Sequence, residues 1–391
     1  MYSILDSDPD RALTLAKETE KQAHYEGLLV EEVNSLYIQA WIFKEKRQQL
    51  GKSFILYLKA LELIKPHYAE TKAGTKLYID LLVNTAIILT EHYALNEAIE
   101  YYDEAFEIAS GVSRTKELAL ISWNKANLLN ELGLTQSALN EINIAINSSL
   151  LTENEAMILN TINDQGLYLI ELGQFEEARK SFEAVLAYDF KESNKDYHLG
   201  RAWHNIGHSF TKEEKYHKAI EAYEKANAYN LNHSSIDQKF ITWTDLSEIY
   251  SIAKDYKQAE KYGVLALEVY NEVQLLPKNY RIFEFMSTIA FEQADFTKSR
   301  AYTKMFIREN DKFLDQQEEI QRTKDQYKME VLAAGFFIKM NASKDESIYS
   351  ILLTVISSLF TVALIAGVSW QYWVRKSIKK SIEHLKNEGV I

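Results

Sequence analysis

A pattern of small and aromatic residues recurs about every 40 positions of this sequence. In its clearest form a small residue is followed by an aromatic residue four places later and by a second small residue three places further on. The first small residue of each copy serves as its anchor, and the anchors are Ala12, Ser53, Ala98, Ala138, Ala178, Ala219, Ala259 and Ser299. The spacing between successive anchors is nearly constant, with one slightly longer gap between Ser53 and Ala98. A fixed period of this length is typical of stacked repeats, which present an extended surface, so the pattern favours a binding function.

The composition favours helices. With 13 Gly and 3 Pro among 391 residues, long stretches are free of helix breakers, and no alternation of short strands and turns is visible. We therefore predict an all-α fold. The chain has no cysteine, which excludes disulfides, thiol nucleophiles and thiolate metal sites.

The charge is distributed unevenly along the chain. The formal net charge is −12, but the residues after Val374 carry five basic and two acidic side chains, a net of +3. The remainder is therefore close to −15. Such an acidic domain repels nucleic acid, so we predict no nucleic-acid partner.

The copy from Gly200 to about Asn230 shows best how each repeat is built. Its apolar and small residues fall on one face of each of two consecutive helices: Trp203, Ile206, Gly207 and Phe210, then Tyr216, Ala219, Tyr223 and Ala226. Gly207 and Ala219 are small where we expect two helix backbones to approach closely. Neighbouring copies follow the same arrangement, for example with Gly166, Gly173 and Phe182 around the anchor Ala178.

These residues resemble the tetratricopeptide repeat, a helix–turn–helix unit of roughly 34 residues. The resemblance covers roughly residues 1–310 and is most specific in the fourth to sixth copies. It implies a right-handed superhelical stack of helix pairs, and the 40-residue period implies helices longer by about three residues each. The first copy, from Asp8 to about Gly27, looks like a second helix whose first helix is missing. We expect either that it caps the stack or that the chain begins late.

A 28-residue stretch without a charged side chain runs from Ser347 to Val374. It is long enough to cross a bilayer with some tilt, and Trp370 and Trp373 lie where interfacial aromatic residues belong. The alternative, a buried core helix, is disfavoured because the stretch has no polar face. We predict a single transmembrane helix over 347–374, followed by a short basic tail over 375–391.

The orientation of this helix follows from the flanking charges. The basic tail is expected to remain in the cytoplasm, which puts the repeat domain outside, in a periplasm or its equivalent. The segment Met1–Pro9 has no features of a signal peptide. Two readings are left open: the true start lies upstream, which we favour, or the protein is tail-anchored with a cytoplasmic repeat domain.

Residues 311–346 connect the repeat domain, predicted over 1–310, to the membrane segment. Phe313, Ile320, Tyr327 and Ala334 follow a seven-residue spacing, but the intervening positions are polar. This is half of a coiled-coil pattern. A solvated connecting helix and a weak homodimer seam are both compatible with it.

The resemblance also implies where a ligand binds. In tetratricopeptide stacks the first helix of each pair lines the concave face, and carrying its inner positions over to this chain gives a polar stripe. The predicted peptide- or protein-binding groove consists of Trp123, Asn124, Asn127, Asn160, Asn163, Asp164, Arg201, His204, Asn205, His208, Thr244, Asp245 and Glu248. Asparagine offers a donor and an acceptor together, which suits the amides of an extended peptide. The alternative is that exposed helix positions are polar in any case.

Signatures of catalysis and of cofactor binding are missing from the sequence. His204 and His208 have the i, i+4 spacing that can chelate zinc, with His198, His217 or Glu248 as a conceivable third ligand, but no Glu follows His204 directly as in a metalloprotease motif. No phosphate-binding glycine loop, nucleophile elbow or kinase core is present. We therefore predict no enzyme activity, no metal and no cofactor.

The order of the predicted parts resembles bacterial membrane sensors in which extracytoplasmic tetratricopeptide repeats precede a cytoplasmic histidine kinase or DNA-binding domain. This chain has no such output domain in its sequence. The first hypothesis is a membrane-anchored scaffold that binds a peptide or protein, as the sensing part of a signalling receptor. The alternative is a membrane-tethered assembly or chaperone-like adaptor that transmits no signal.

Overall fold

The computed structural model describes residues 7–46, 49–91, 95–191, 194–233, 235–273, 279–315, 318 and 322. These residues form α-helices joined by short turns, with no strand among them. The helices are α1 Pro9–Glu26, α2 Leu29–Glu45, α3 Leu50–Ile64, α4 Lys72–Glu91, α5 Leu95–Gly111, α6 Thr115–Glu131, α7 Thr135–Thr152, α8 Glu155–Glu171, α9 Phe175–Leu186, α10 Lys195–Lys212, α11 Tyr216–His233, α12 Ile236–Ile252, α13 Tyr256–Val269, α14 Arg281–Glu292 and α15 at 296–315. The all-α prediction is confirmed.

The anchors of the sequence repeat all lie near the start of the second helix of a pair, or in α1. The seven anchors from Ala12 to Ala259 are completely buried, and Ser299 in α15 is 9% exposed. From α2 onward the helices pack as consecutive antiparallel pairs, α2 with α3 through α12 with α13. The pair of α14 and α15 is joined by hydrogen bonds from Ser287 to Ser299 and Thr303. The period therefore measures one helix pair, and α1 packs on α2 as a single helix within the described residues.

Each of the last five described pairs turns between its helices through a residue in the left-handed conformation. These residues lie five positions before the anchor, with φ between 59° and 73°: Gly133, Gly173, Glu214, Lys254 and Ala294. At each turn the next backbone N–H donates to a carbonyl five residues earlier, as Asp255 does to Tyr250 at 2.9 Å. This is the Schellman arrangement that satisfies the last carbonyls of a helix. A three-residue connection therefore reverses the chain direction.

The small residues of the repeats make room for aromatic rings. A Cβ atom added at Gly207 would lie 2.7 Å from Cδ1 of Tyr223, and one added at Gly166 would lie 2.4 Å from Cε1 of Phe182. Both rings are almost completely buried. The close approach expected at Gly207 thus involves a side chain of the second helix rather than its backbone.

The first helices lie on the inner side of the stack. Contacts extend from α2 to α4, from α4 to α6, from α8 to α10, from α10 to α12 and from α12 to α14. Successive second helices make no contacts as extensive as these within the described residues. Because neighbouring first helices are closer together, the face they form is the concave one. The handedness of the superhelix stays a prediction.

One described helix, α4, has the length and hydropathy of a membrane span. An 18-residue stretch of this helix has a mean hydropathy of 1.2, and 67% of that stretch is buried inside the protein. Residues such as Leu81, Leu82 and Ile88 pack in the largest core cluster, so α4 is explained as a core helix. The predicted transmembrane helix over 347–374 and the tail over 375–391 lie outside the described residues. So does most of the connecting segment 311–346, although α15 passes residue 310 without a break.

Candidate ligand-binding face

Every residue of the predicted groove lies on one of four first helices, α6, α8, α10 or α12. None is fully exposed: Asn163 and Asn205 are buried, and the others are half-buried or nearly so. The predicted residues therefore line the concave face, and we call them the polar row. Their individual roles in binding stay predictions, but the structure shows which of them already have partners.

The hub of the polar row is the carboxylate of Asp164 in α8. It accepts a hydrogen bond of 2.8 Å from the indole Nε1 of Trp123 in α6. It also accepts 3.2 Å and 3.3 Å bonds from Arg201 in α10 and from Asn163. A second guanidinium nitrogen of Arg201 donates to Oδ1 of Asn160 at 2.9 Å. These bonds join three consecutive repeats, so this part of the row holds the stack together.

Two further bonds join first helices one repeat apart. Asn205 donates from its side-chain amide to Oδ1 of Asn163 at 2.6 Å. The hydroxyl of Tyr168 donates to Oδ1 of Asn127 at 2.6 Å, which leaves the NH₂ group of Asn127 available. The sequence does not predict these bonds, because it gives the face of a residue but no distance across repeats.

Three members of the row make neither a side-chain hydrogen bond nor an ion pair within the described residues. Asn124 and His208 are partly exposed on the inner face, and each can still donate and accept. The hydroxyl of Thr244 is also unpartnered, but its oxygen is buried. Asn124 and His208 are thus the members of the row that are best placed to meet a ligand.

His204 in α10 links a buried hydroxyl to a carboxylate. Its Nδ1 lies 3.4 Å from Oγ1 of Thr242, which accepts a 2.9 Å bond from the amide of Asn230. Its Nε2 lies 3.4 Å from Oδ2 of Asp245 in α12. With His204 neutral, the hydroxyl of Thr242 can donate to its Nδ1, whereas the contact of Nε2 with Asp245 is a close approach and not a hydrogen bond. Thr242 is completely buried, so this network supports the helices and offers no accessible nucleophile.

A cleft of about 310 Å³ opens beside Asp245, between α10, α12 and α14. Four predicted residues line it: His204, His208, Asp245 and Glu248. Five more were not predicted, namely Thr211, Lys212, Tyr223, Ile249 and Arg281. Arg281 could have been found from the sequence, because it has the same place relative to its anchor Ser299 as Arg201 has relative to Ala219.

Burial in the cleft shifts the protonation of its histidines and acids in opposite directions. Burial, reinforced by His208, lowers the pKa of His204 to about 3, and burial also lowers the pKa of His208. Burial and the neighbouring Glu248 raise the pKa of Asp245 to about 7. Burial likewise raises the pKa of Glu248, although Arg281 opposes the shift. Both histidines are therefore neutral at neutral pH, while Asp245 is close to its midpoint.

Within the described part of the chain, no three His, Asp or Glu side chains are grouped so that they could hold a metal ion. The predicted i, i+4 pair of His204 and His208 thus acquires no third ligand there, and the cleft is a polar cavity with both signs of charge.

Comparisons with known proteins agree with the helix-pair geometry. A sequence profile of the tetratricopeptide repeat matches residues 160–192 and 200–233. Over 169 residues the chain is 27% identical to the transcriptional activator NprA of Geobacillus stearothermophilus. That stretch is 42% of this chain and spans 40% of the activator.

Two solved structures share the fold. A signal-transduction ATPase with numerous domains, a protein with a tetratricopeptide repeat sensor from Pyrococcus horikoshii, has a TM-score of 0.59 at 17% identity, covering 83% of this chain and 47% of that one. The apo form of RapI has a TM-score of 0.53 at 16% identity, covering 84% of this chain and 98% of that one. The profile match identifies residues 160–192 and 200–233 as tetratricopeptide repeats, and the helix pairs and buried anchors of the other described repeats are similar to them.

Proposed function

We propose that the concave face binds a peptide or an extended segment of a protein, and that the chain is the ligand-sensing part of a regulatory protein. The observation that carries the proposal is the polar row itself, which crosses four first helices and ends in the cleft. Partly exposed donors and acceptors such as Asn124 and His208 lie along it. Groups of this kind satisfy the amides of an extended ligand. The similarity to a transcriptional activator supports a regulatory role.

The proposal is tested by selecting peptides from a displayed random library on the full chain. The inner variant Asn124→Ala/His208→Ala removes two side chains that have no partner in the described structure. We expect it to weaken binding of the selected peptides at least about tenfold, the loss of roughly 1.4 kcal/mol of contacts. The melting temperature should change little, because no hydrogen bond between side chains is broken.

The matched control is Asn140→Ala/His217→Ala, which removes the same two residue types from exposed positions of the second helices α7 and α11. Selected peptides should bind this outer variant as they bind the unmodified chain. Peptides that lose affinity for the outer variant but keep it for the inner one would overturn the proposal.

We also propose that residues 347–374 anchor the protein in a membrane, with the repeat domain outside and the tail in the cytoplasm. The support is the uncharged 28-residue stretch followed by a basic tail. Alkaline phosphatase fused after Ile391 should be inactive in cells, whereas a fluorescent protein fused there should be bright. An active phosphatase fusion would show that the C-terminus lies outside the cytoplasm and would contradict the proposed orientation. Release of the protein from membranes by alkaline carbonate would contradict the proposed membrane anchor.

A further inference from the structure

The same three-residue arrangement occurs twice along the concave face. Each copy consists of an aromatic side chain with a ring N–H in one repeat, a carboxylate in the next repeat and an arginine in the repeat after that. The first copy is Trp123, Asp164 and Arg201, and the second is His204, Asp245 and Arg281. Corresponding members stand at the same distance along the chain from their own anchors in both copies. Equivalent positions in a repeat protein lie at equivalent places of their helix pairs, so the two copies can be compared directly.

The first copy is closed. The carboxylate of Asp164 accepts bonds from Trp123 at 2.8 Å and from Arg201 at 3.2 Å, and the amide of Asn163 adds a third. Here the chain itself supplies a guanidinium to the carboxylate.

The second copy is open. His204 lies 3.4 Å from Asp245, but the guanidinium of Arg281 is turned away, 3.7 Å from Glu248 and 4.0 Å from Glu284, and it stacks over Phe285. Among the described residues no lysine or arginine forms an ion pair with Asp245. The cleft of about 310 Å³ lies beside this carboxylate.

The charges around the open copy are unbalanced. Three carboxylates, those of Asp245, Glu248 and Glu284, lie in or beside the cleft, and the guanidinium of Arg281 pairs with Glu248 and Glu284 but not with Asp245. His204 and His208 contribute no positive charge at neutral pH, since burial lowers the pKa of each. Lys212, also in α10, is exposed, and its positive charge acts on Glu248 and His208, while Tyr223 in α11 is a buried phenol. The three carboxylates thus face two cations, Arg281 and Lys212. A positive charge that enters the cleft therefore relieves repulsion among the carboxylates.

We infer that the cleft binds a cationic group of the ligand, a guanidinium or a primary ammonium, against Asp245 and Glu248, as Arg201 binds Asp164 in the first copy. This inference rests on the proposed function, because the cation is taken to belong to the ligand of the concave face. A cleft of this volume is at the lower end of the range for small-molecule sites, so it receives one long side chain rather than a whole peptide.

Proton release accompanies this binding. Without a ligand, Asp245 takes up a proton near neutral pH, and a bound cation favours its ionised form. Affinity for a cation is therefore expected to fall as the pH is lowered below 7, by at most about tenfold per pH unit. It is also expected to fall with rising salt, because the contact is an ion pair at a partly exposed site.

The test uses N-acetyl-L-argininamide as the probe and the full chain with isotope-labelled histidine. The imidazole signals of His204 and His208, assigned with the variants His204→Gln and His208→Gln, report on the cleft in an NMR titration. We expect a saturable shift of both signals with this probe and with N-acetyl-L-lysinamide. N-acetyl-L-glutaminamide, which is neutral and of similar length, should cause no saturable shift.

The variant Asp245→Asn/Glu248→Gln should bind the probe at least about tenfold more weakly, the equivalent of roughly 1.4 kcal/mol of binding free energy. Its control is Asp237→Asn, an exposed carboxylate in the first turn of the same helix, which should leave the titration unchanged. Equal binding of the arginine and glutamine probes would overturn the inference. So would stronger binding of N-acetyl-L-glutamate, which would point to an anion site at Arg281 and Lys212.

The two proposals fail separately. If library peptides require Asn124 and His208 but bind without any basic residue, the proposed function is supported. The inference of a cation site is then wrong. If the arginine probe binds the cleft but no library peptide requires Asn124 and His208, the cation site is supported and the proposed function is wrong.

Discussion

Asn205 and Asn163 form a buried hydrogen bond between two successive repeats. The side-chain amide of Asn205 lies 2.6 Å from Oδ1 of Asn163, and the two residues are 7% and 3% exposed. The sequence pattern assigns both to the ligand-binding surface. Their burial means that a ligand would have to break this bond before it could use either amide, so the pair contributes first of all to the stacking of α8 on α10.

Substituting Asn163→Ala is expected to destabilise the fold by about 1–3 kcal/mol. The change leaves the amide of Asn205 buried without its partner, and an unsatisfied buried donor costs the free energy of removing it from water. The free energy of unfolding in urea measures the effect. Asn124→Ala is the control, because Asn124 is partly exposed and has no side-chain partner within the described residues. Its free energy of unfolding should stay within about 0.5 kcal/mol of the unmodified chain.

A double-mutant cycle identifies the cause. If the bond is what stabilises the stack, Asn163→Ala/Asn205→Ala should be less destabilising than the two single changes added together. Strict additivity would show that the two side chains act independently, and the assignment of the pair as a tie between repeats would then be wrong.

The sequence was sufficient to predict the all-α fold and its helix pairs because each repeat copies one local rule. Anchors such as Ala138 and Ala219 had to be small, since each lies completely buried where helices pack, and the 40-residue spacing counted the helix pairs. The partners of the polar row could not be predicted in the same way. Whether Asp164 faces Arg201 or Asp245 faces Arg281 depends on side-chain rotamers across two repeats, which equivalent sequence positions leave undetermined.

Substituting Lys254→Gly is expected to stabilise the protein by about 1 kcal/mol. Lys254 is exposed and has a φ of 63°, a conformation that costs a residue with a Cβ atom about 1–2 kcal/mol but costs glycine little. Glycine already fills the equivalent turn positions 133 and 173. Thermal unfolding should show a higher melting temperature for the variant.

The reverse change, Gly173→Ala, is the matched control and should lower the melting temperature by a similar amount. A Cβ atom there meets nothing within 4 Å, so the loss would come from the backbone conformation alone. If both substitutions lower the melting temperature, the left-handed turn is not the source of the cost.

Substituting Gly207→Ala is expected to destabilise the stack by about 1–3 kcal/mol, in spite of the higher helix propensity of alanine. The new methyl group would lie 2.7 Å from the buried ring of Tyr223, and overpacking of this kind forces side chains out of their preferred rotamers. Denaturant unfolding measures the loss. Gly111→Ala provides the comparison, because no atom lies within 4 Å of a Cβ there, and it should be neutral or stabilising by up to about 1 kcal/mol. Equal effects at both positions would contradict the role given to Gly207.

Substituting Asp245→Asn is expected to make the stability of the fold less sensitive to a rise in pH from about 4 to 7. The pKa of Asp245 is about 7 in the folded protein and about 4 in an unfolded chain, so the folded state binds a proton more tightly. Its contribution to stability is therefore greatest below pH 4 and is lost as the pH rises through 7. Asparagine does not ionise, so the variant should gain stability over the unmodified chain between pH 5 and pH 8. A gain on the order of 1 kcal/mol is reasonable, because the side chain of Asp245 is 30% exposed and water screens its charge. Urea unfolding at both values of pH measures it, and a stability difference that does not vary with pH would show that Asp245 is ionised throughout.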